Sequence, residues 1–179
     1  MKNIAKTFLL TLLFIAASAS RADVLNQGPG GFNLRITAEV PVEPATAYQQ
    51  FIRVGEWWVA SHSWFGKSEN FSIDPQAGGC FCEKNGDQEV LHMLVTFVNP
   101  GSEVRMTGGL GPLQLMGLHG GMSWKFEPID QGTRIVQIYN VSGYAPGGLE
   151  SLAPVVDAVQ TQQLNALVQR LTGERPRAE

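Results

Sequence analysis

Between residues 32 and 40 the chain alternates strictly. Phe32, Leu34, Ile36, Ala38 and Val40 are apolar, and Asn33, Arg35, Thr37 and Glu39 between them are polar. Period two marks a strand with one buried face. Pro44 then opens a helix over 45–54, since a proline's missing N–H does no harm in a first helical turn. Five strand-like segments follow at short spacing, about 70–75, 79–85, 88–98, 102–109 and 116–127, and a sixth spans 132–143. Asp74 to Gly79, Asn85-Gly86-Asp87, Asn99-Pro100-Gly101 and Asp130-Gln131-Gly132 carry turn chemistry, because Gly and Asn tolerate the positive φ of tight reversals. Loops this short imply antiparallel neighbours.

Past Gly148 the period changes to 3.6, and a helix runs from Leu149 or Pro154 to Leu171, stopped by Gly173. Leu152, Val155, Val156, Val159, Ala166, Leu167 and Leu171 share one face; Thr161, Gln162, Asn165 and Gln169 lie opposite. A long helix cannot bury such a stripe alone, and a sheet has a face to hide. The pattern therefore predicts an α+β fold, a seven-stranded antiparallel sheet curled around a long C-terminal helix. The domain is expected over 31–173, with 23–30 as a linker and 174–179 as a tail.

Composition changes the picture at the N-terminus. The 179 residues are 44% hydrophobic and 16% charged, as in one globular domain. Lys2 and Lys6 make a cationic start, and residues 7–19 form an apolar run shorter than the roughly 20 residues a spanning helix needs. Ala17-Ser18-Ala19 and Ser20-Arg21-Ala22 are small-residue cleavage motifs. Residues 1–22 are read as a signal peptide cut after Ala22, which makes the mature protein periplasmic or secreted and leaves it no stable membrane span. Removing Lys2, Lys6 and Arg21 with the leader leaves 10 basic against 16 acidic residues, a net charge of −6, which disfavours a nucleic-acid partner.

The layout, with Glu56-Trp57-Trp58 after the first helix, Gly78-Gly79-Cys80-Phe81-Cys82-Glu83 on a strand and Gly132-Thr133 opening the last strand, resembles the START-like or SRPBCC superfamily. The nearer likeness is to its branch of activator-of-Hsp90-ATPase homologues and polyketide-cyclase-like proteins. The resemblance spans residues 31–172 and implies a helix-grip fold enclosing an apolar cavity. Members bind lipids, sterols, polyketides or hormones, and some catalyse cyclisation or dehydration. An export signal departs from the branch and removes the ground for an Hsp90 role; no catalytic residue carries over by motif.

The candidate ligand-binding set is Trp57, Trp58, Trp64, Trp124, Tyr139, Tyr144, Val156 and Gln163. Trp57, Trp58, Trp64 and Phe65 crowd nine residues, as a pocket mouth or as one end of the core. Gln163 sits in the helix's apolar stripe, where a buried amide needs a partner: a ligand, a trapped water or the backbone of a neighbouring strand. In the 88–98 strand Leu91, Met93, Val95 and Phe97 form the apolar set, so His92 is expected on the other side; His119 is expected outward by alternation with Met122 and Trp124. Cys80 and Cys82 stand two apart, about 6.6 Å along an extended strand, which discourages a mutual disulfide. Two free thiols are expected, or an intermolecular bridge if the strand is exposed.

Three functions follow. The first is a carrier or sensor of a small apolar molecule or lipid, needing no cofactor and no metal. The second is a cyclase-type enzyme in which His62, Tyr139 or Tyr144 in the cavity does acid–base work. The third is a metal or redox module built on Cys80, Cys82 and a histidine. No hydrolase elbow is present, and Gly108-Gly109-Leu110-Gly111 lacks the Lys and helix of a phosphate loop. Oligomeric state is not written in the pattern.

Overall fold

Alternation becomes burial most directly in the strand at Gly31–Val40, where Phe32, Leu34, Ile36, Ala38 and Val40 are all buried. The structure is a computed structural model that describes residues 21–173. Residues 1–20 of the expected signal peptide 1–22, and the expected tail 174–179, lie outside the described residues.

The strands are β1 (Arg21–Gly28), β2 (Gly31–Val40), β3 (Phe71–Ile73), β4 (Cys80–Asn85), β5 (Gln88–Asn99), β6 (Glu103–Thr107), β7 (His119–Ile129) and β8 (Gly132–Ser142). They form one antiparallel sheet in the order β1-β2-β8-β7-β6-β5-β4-β3. Helix α1 (Pro44–Ile52) follows β2, and α2 (Ala153–Thr172) closes the chain. Gly173, at φ 71°, caps α2 by donating its N–H to the Gln169 carbonyl. α2 packs on β1, β2 and α1, while α1 packs on β7 and β8. The result is the expected α+β helix-grip arrangement with eight strands rather than seven. Among the described residues no helix is long and apolar enough to cross a membrane.

The eighth strand corrects the linker expected at 23–30. β1 pairs with β2 through a hairpin at Pro29-Gly30, from Gly28 opposite Gly31 to Arg21 opposite Thr37. A bulge between Val24 and Asn26 breaks its alternation, and Val24 and Leu25 are exposed. Backbone pairing makes this strand, so no buried side-chain face announces it. The site after Ala22 lies within β1, two residues from its start.

Bulges also overturn the orientation expected for β5. Leu91 pairs with Cys82 and Met93 with Phe81, so His92 is an extra residue on β5. A second shift makes Thr96 extra. His92 and Met93 therefore turn inward together, whereas Leu91 and Leu94 face solvent and Phe97 lies exposed beneath the Arg105 guanidinium, 4.4 Å from the ring centroid. His92 belongs to the interior.

The same distortion brings Cys80 and Cys82 together. Their Cα atoms lie 5.4 Å apart, not the extended spacing, and their sulfurs are bonded. The expectation of two free thiols is wrong because β4 is contracted at the bulge that β5 imposes.

Aromatic rings fill the packed end of the core. Phe51 on α1 meets Trp124 at 4.9 Å, Phe126 at 5.5 Å and Trp57 at 6.2 Å. The Trp57 indole N–H is shared between the Gln50 and Phe51 carbonyls, each 3.1 Å away. Tilted rings at these distances add about 1 kcal/mol per pair beyond area burial.

Candidate functional site

At the other end, sheet and helix separate. The N-terminal half of α2 presents Val155, Val156, Val159 and Gln160 across a gap to Tyr139 on β8 and His92 on β5. The segment from Trp58 to Trp64 forms one side wall, and Leu110 to Met116 forms the other. The cavity between them has a volume of about 390 Å³ and a largely apolar lining, within the size range of small-molecule sites.

The apolar stripe of α2 thus divides. Leu164, Leu167 and Val168 lie in the core, together with Gln163. Val156 and Val159 are only half-buried and Val155 is 59% exposed, because what they face is the cavity.

Glu83 anchors the polar part of the site. Alternation on β4 puts it on the face of Phe81, and it is fully buried. Its carboxylate accepts the Ser63 hydroxyl at 2.5 Å, the Phe65 N–H at 2.9 Å, the Trp64 N–H at 3.1 Å and His92 Nε2 at 3.2 Å. Burial pushes its pKa up, but the Ser63 hydroxyl, the two amides and His92 outweigh burial and hold it below the usual carboxylate range. Four donors on one carboxylate fix the 63–65 segment, and with it Trp64 at the cavity mouth.

His92 is 2% exposed and stacks on Phe71, with centroids 5.2 Å apart and planes at 19°. Phe81 lies against it at 5.4 Å. Burial lowers its pKa, and the Glu83 carboxylate only partly offsets this. The imidazole is therefore neutral at neutral pH, with its proton on Nε2 facing Glu83. Nδ1 is left as a lone-pair acceptor, buried and with no hydrogen-bond partner.

Tyr139 packs its ring over Gly120, where an added Cβ would come within 2.5 Å of the ring. Its hydroxyl oxygen accepts the Leu110 N–H at 3.1 Å and so ties the 110–116 wall to the sheet. Burial pushes its pKa up to about 12, against the Leu110 hydrogen bond, which keeps the phenol protonated. His62 Nε2 and Gln162 Oε1, 2.8 Å apart, link the first wall to α2.

Of the eight residues expected to bind ligand, Trp58, Trp64, Tyr139 and Val156 line the cavity. Trp57 and Trp124 belong to the packed core, and Tyr144 is 83% exposed on the β8–α2 connection. Gln163 also misses the cavity: its Oε1 accepts the Val59 N–H at 3.0 Å, so it braces a loop rather than a strand or a ligand. Gln160, one turn earlier, takes the lining position and accepts a hydrogen bond from Gln137. His119 points outward as expected and meets the Thr107 hydroxyl at 2.7 Å.

Glu83 and His92 are the residues that sequence reasoning missed. A carboxylate in phase with Phe81 was the available signal for Glu83; His92 had none, since only the bulge turns it inward. The metal reading on Cys80 and Cys82 fails because their thiolates are consumed in the disulfide. Among the described residues no group of three His, Cys, Asp or Glu side chains is placed to hold a metal.

No family model and no curated protein sequence matches the chain. Solved structures do. The Mycobacterium smegmatis protein Ms6760 is similar at TM-score 0.57 and 17% identity, over 90% of this chain and 100% of that one. CalU16 from Micromonospora echinospora is similar at TM-score 0.57 and 10% identity, over 84% of each chain. A protein from Rhizobium leguminosarum is similar at TM-score 0.54 and 16% identity, over 88% of this chain and 100% of that one. At such identities the likeness shows the shared fold.

Proposed function

We propose that the protein is an exported member of the START-like or SRPBCC superfamily that holds a small apolar or amphipathic ligand between its sheet and the N-terminal half of α2. The observation that carries this reading is the apolar cavity of about 390 Å³ where the stripe of α2 leaves the core. A largely apolar lining favours an apolar ligand, whose burial there removes apolar surface from water. The disulfide and the cationic, apolar leader support an oxidising compartment outside the cytoplasm.

A fluorescent apolar probe tests the reading. It should bind with micromolar-scale affinity and quench the emission of Trp58 and Trp64, which line the site. Val159→Trp should fill the cavity and abolish uptake with the fold intact. Uptake that is absent from the wild type, or unchanged in the filled variant, would refute it.

A second reading, an enzyme of polyketide-cyclase type, is favoured by one observation: His62, His92 and Tyr139 all line the same wall system. Turnover of a bound carbonyl compound, lost in His92→Phe, distinguishes it from a carrier.

A further inference from the structure

The cavity is largely apolar, with His62, Tyr139, Gln160 and His92 among its polar lining residues, and the His92 imidazole is buried with one ring nitrogen unpaired. It is buried, its ring stacks on Phe71 and packs against the side of Phe81, and its Nε2 is committed to Glu83. Glu83 cannot turn away, because Ser63, Trp64 and Phe65 hold it as well. A carboxylate accepts only, so Nε2 carries the proton and Nδ1 must be the acceptor. That acceptor has no partner in the protein. A buried acceptor left unmade is unfavourable, so a ligand donor that pairs with it gains affinity.

We propose that the ligand carries a hydroxyl of phenol type and that His92 Nδ1 accepts its hydrogen, with Glu83 as the positioning residue that fixes the tautomer. This rests on the cavity reading above and narrows it, from any apolar molecule to an aromatic one with a single hydrogen-bond donor. An ether or a carboxylate of the same shape meets the lone pair of Nδ1 with lone pairs of its own. A hydrocarbon leaves the acceptor unmade. Trp58 and Trp64 supply ring faces along the wall, and the Tyr139 hydroxyl, whose oxygen already accepts from Leu110, still has a hydrogen to give to a ligand oxygen.

The test compares naphthalene, 1-methoxynaphthalene and 1-naphthol by Trp quenching on the full mature chain. The expected result is that 1-naphthol binds about tenfold more tightly than the other two, the difference one recovered hydrogen bond makes. His92→Phe keeps a flat ring against Phe71 and Phe81, and it should erase the preference while retaining naphthalene. If that variant does not fold, nitrogen-15 NMR of the wild-type imidazole decides. Nδ1 should be unprotonated in the free protein and should shift on adding 1-naphthol but not 1-methoxynaphthalene. Equal affinity for all three probes, or a proton found on Nδ1, overturns the proposal while leaving the cavity reading in place. Failure of every probe to bind overturns both.

Discussion

The two halves of α2 are built from the same kind of residue and meet different fates. Leu164, Leu167 and Val168 are buried in the core, whereas Val155, Val156 and Val159, two turns earlier, form one wall of a cavity. What differs is the opposing surface. Aromatic side chains from α1 and the middle of the sheet fill the packed end, and at the other end Tyr139, His92 and two loops stand back from the helix. An apolar stripe therefore reports that a face is hidden from bulk water, not what hides it.

The largest test of this contrast is a charge. Leu164→Asp places an unpaired carboxylate in the core and should destabilise by about 4 kcal/mol, whereas Val156→Asp can hydrate from the cavity and should lose about 1 kcal/mol. Equal shifts in urea midpoint would show that the two halves do not differ. Trp124→Ala should likewise cost about 4 kcal/mol through the void it opens, against well under 1 kcal/mol for the exposed Trp64→Ala, read by the same denaturation.

Glu83 gives the next effect in size. Glu83→Ala strands the Ser63 hydroxyl, the Trp64 amide and His92 and leaves the Phe65 amide only Ser63 Oγ, and should cost about 3 kcal/mol while loosening the 63–65 wall. Hydrogen exchange at Trp64 and Phe65 would report that loosening; unchanged protection would mean that the carboxylate does not hold the loop.

Acid should act on the same seam in two stages. His92 has a lowered pKa in the fold, so stability falls as the pH drops below about 6.5, where the unfolded chain binds a proton that the native state resists. The pKa of Glu83 is lowered too, so its contribution is complete above about pH 4.5 and is lost as the pH falls through its native value. Asp157 opposes them, since burial, reinforced by Asp23, raises its pKa and acid relieves it. Stability measured against pH should be flatter in Glu83→Gln below about pH 4.5. An identical profile would place the acid sensitivity elsewhere.

Much of this architecture was legible in residue order. β2 announced itself because its alternation runs unbroken against β8 from Gly31 to Val40. α2 and its Gly173 cap were equally plain. What failed did so at bulges, where period two stops holding: His92 was placed outside, and Cys80 and Cys82 were spaced as if β4 were extended. β1 was invisible because its pairing is made by backbone groups and its side chains are mostly exposed. Half of the expected ligand set reached the cavity. Trp57 and Trp124 did not, since aromatic bulk marks a core and a pocket wall alike; Gln163 did not, since a buried amide asks only for some partner.

The smallest effect concerns the disulfide. A bond that closes a loop this short restrains little of the unfolded chain, so replacing both Cys80 and Cys82 with Ser should cost no more than about 1 kcal/mol. A larger loss would mean that the bond, rather than the bulge in β5, holds Glu83 and His92 inward.

The most direct measurement of the central claim is a methyl NMR titration of the protein with naphthalene. The account predicts saturable shifts at the methyls of Val155, Val156 and Val159, with those of Leu164 and Leu167 unmoved. Shifts that never saturate, or that appear equally in both halves of α2, would contradict it.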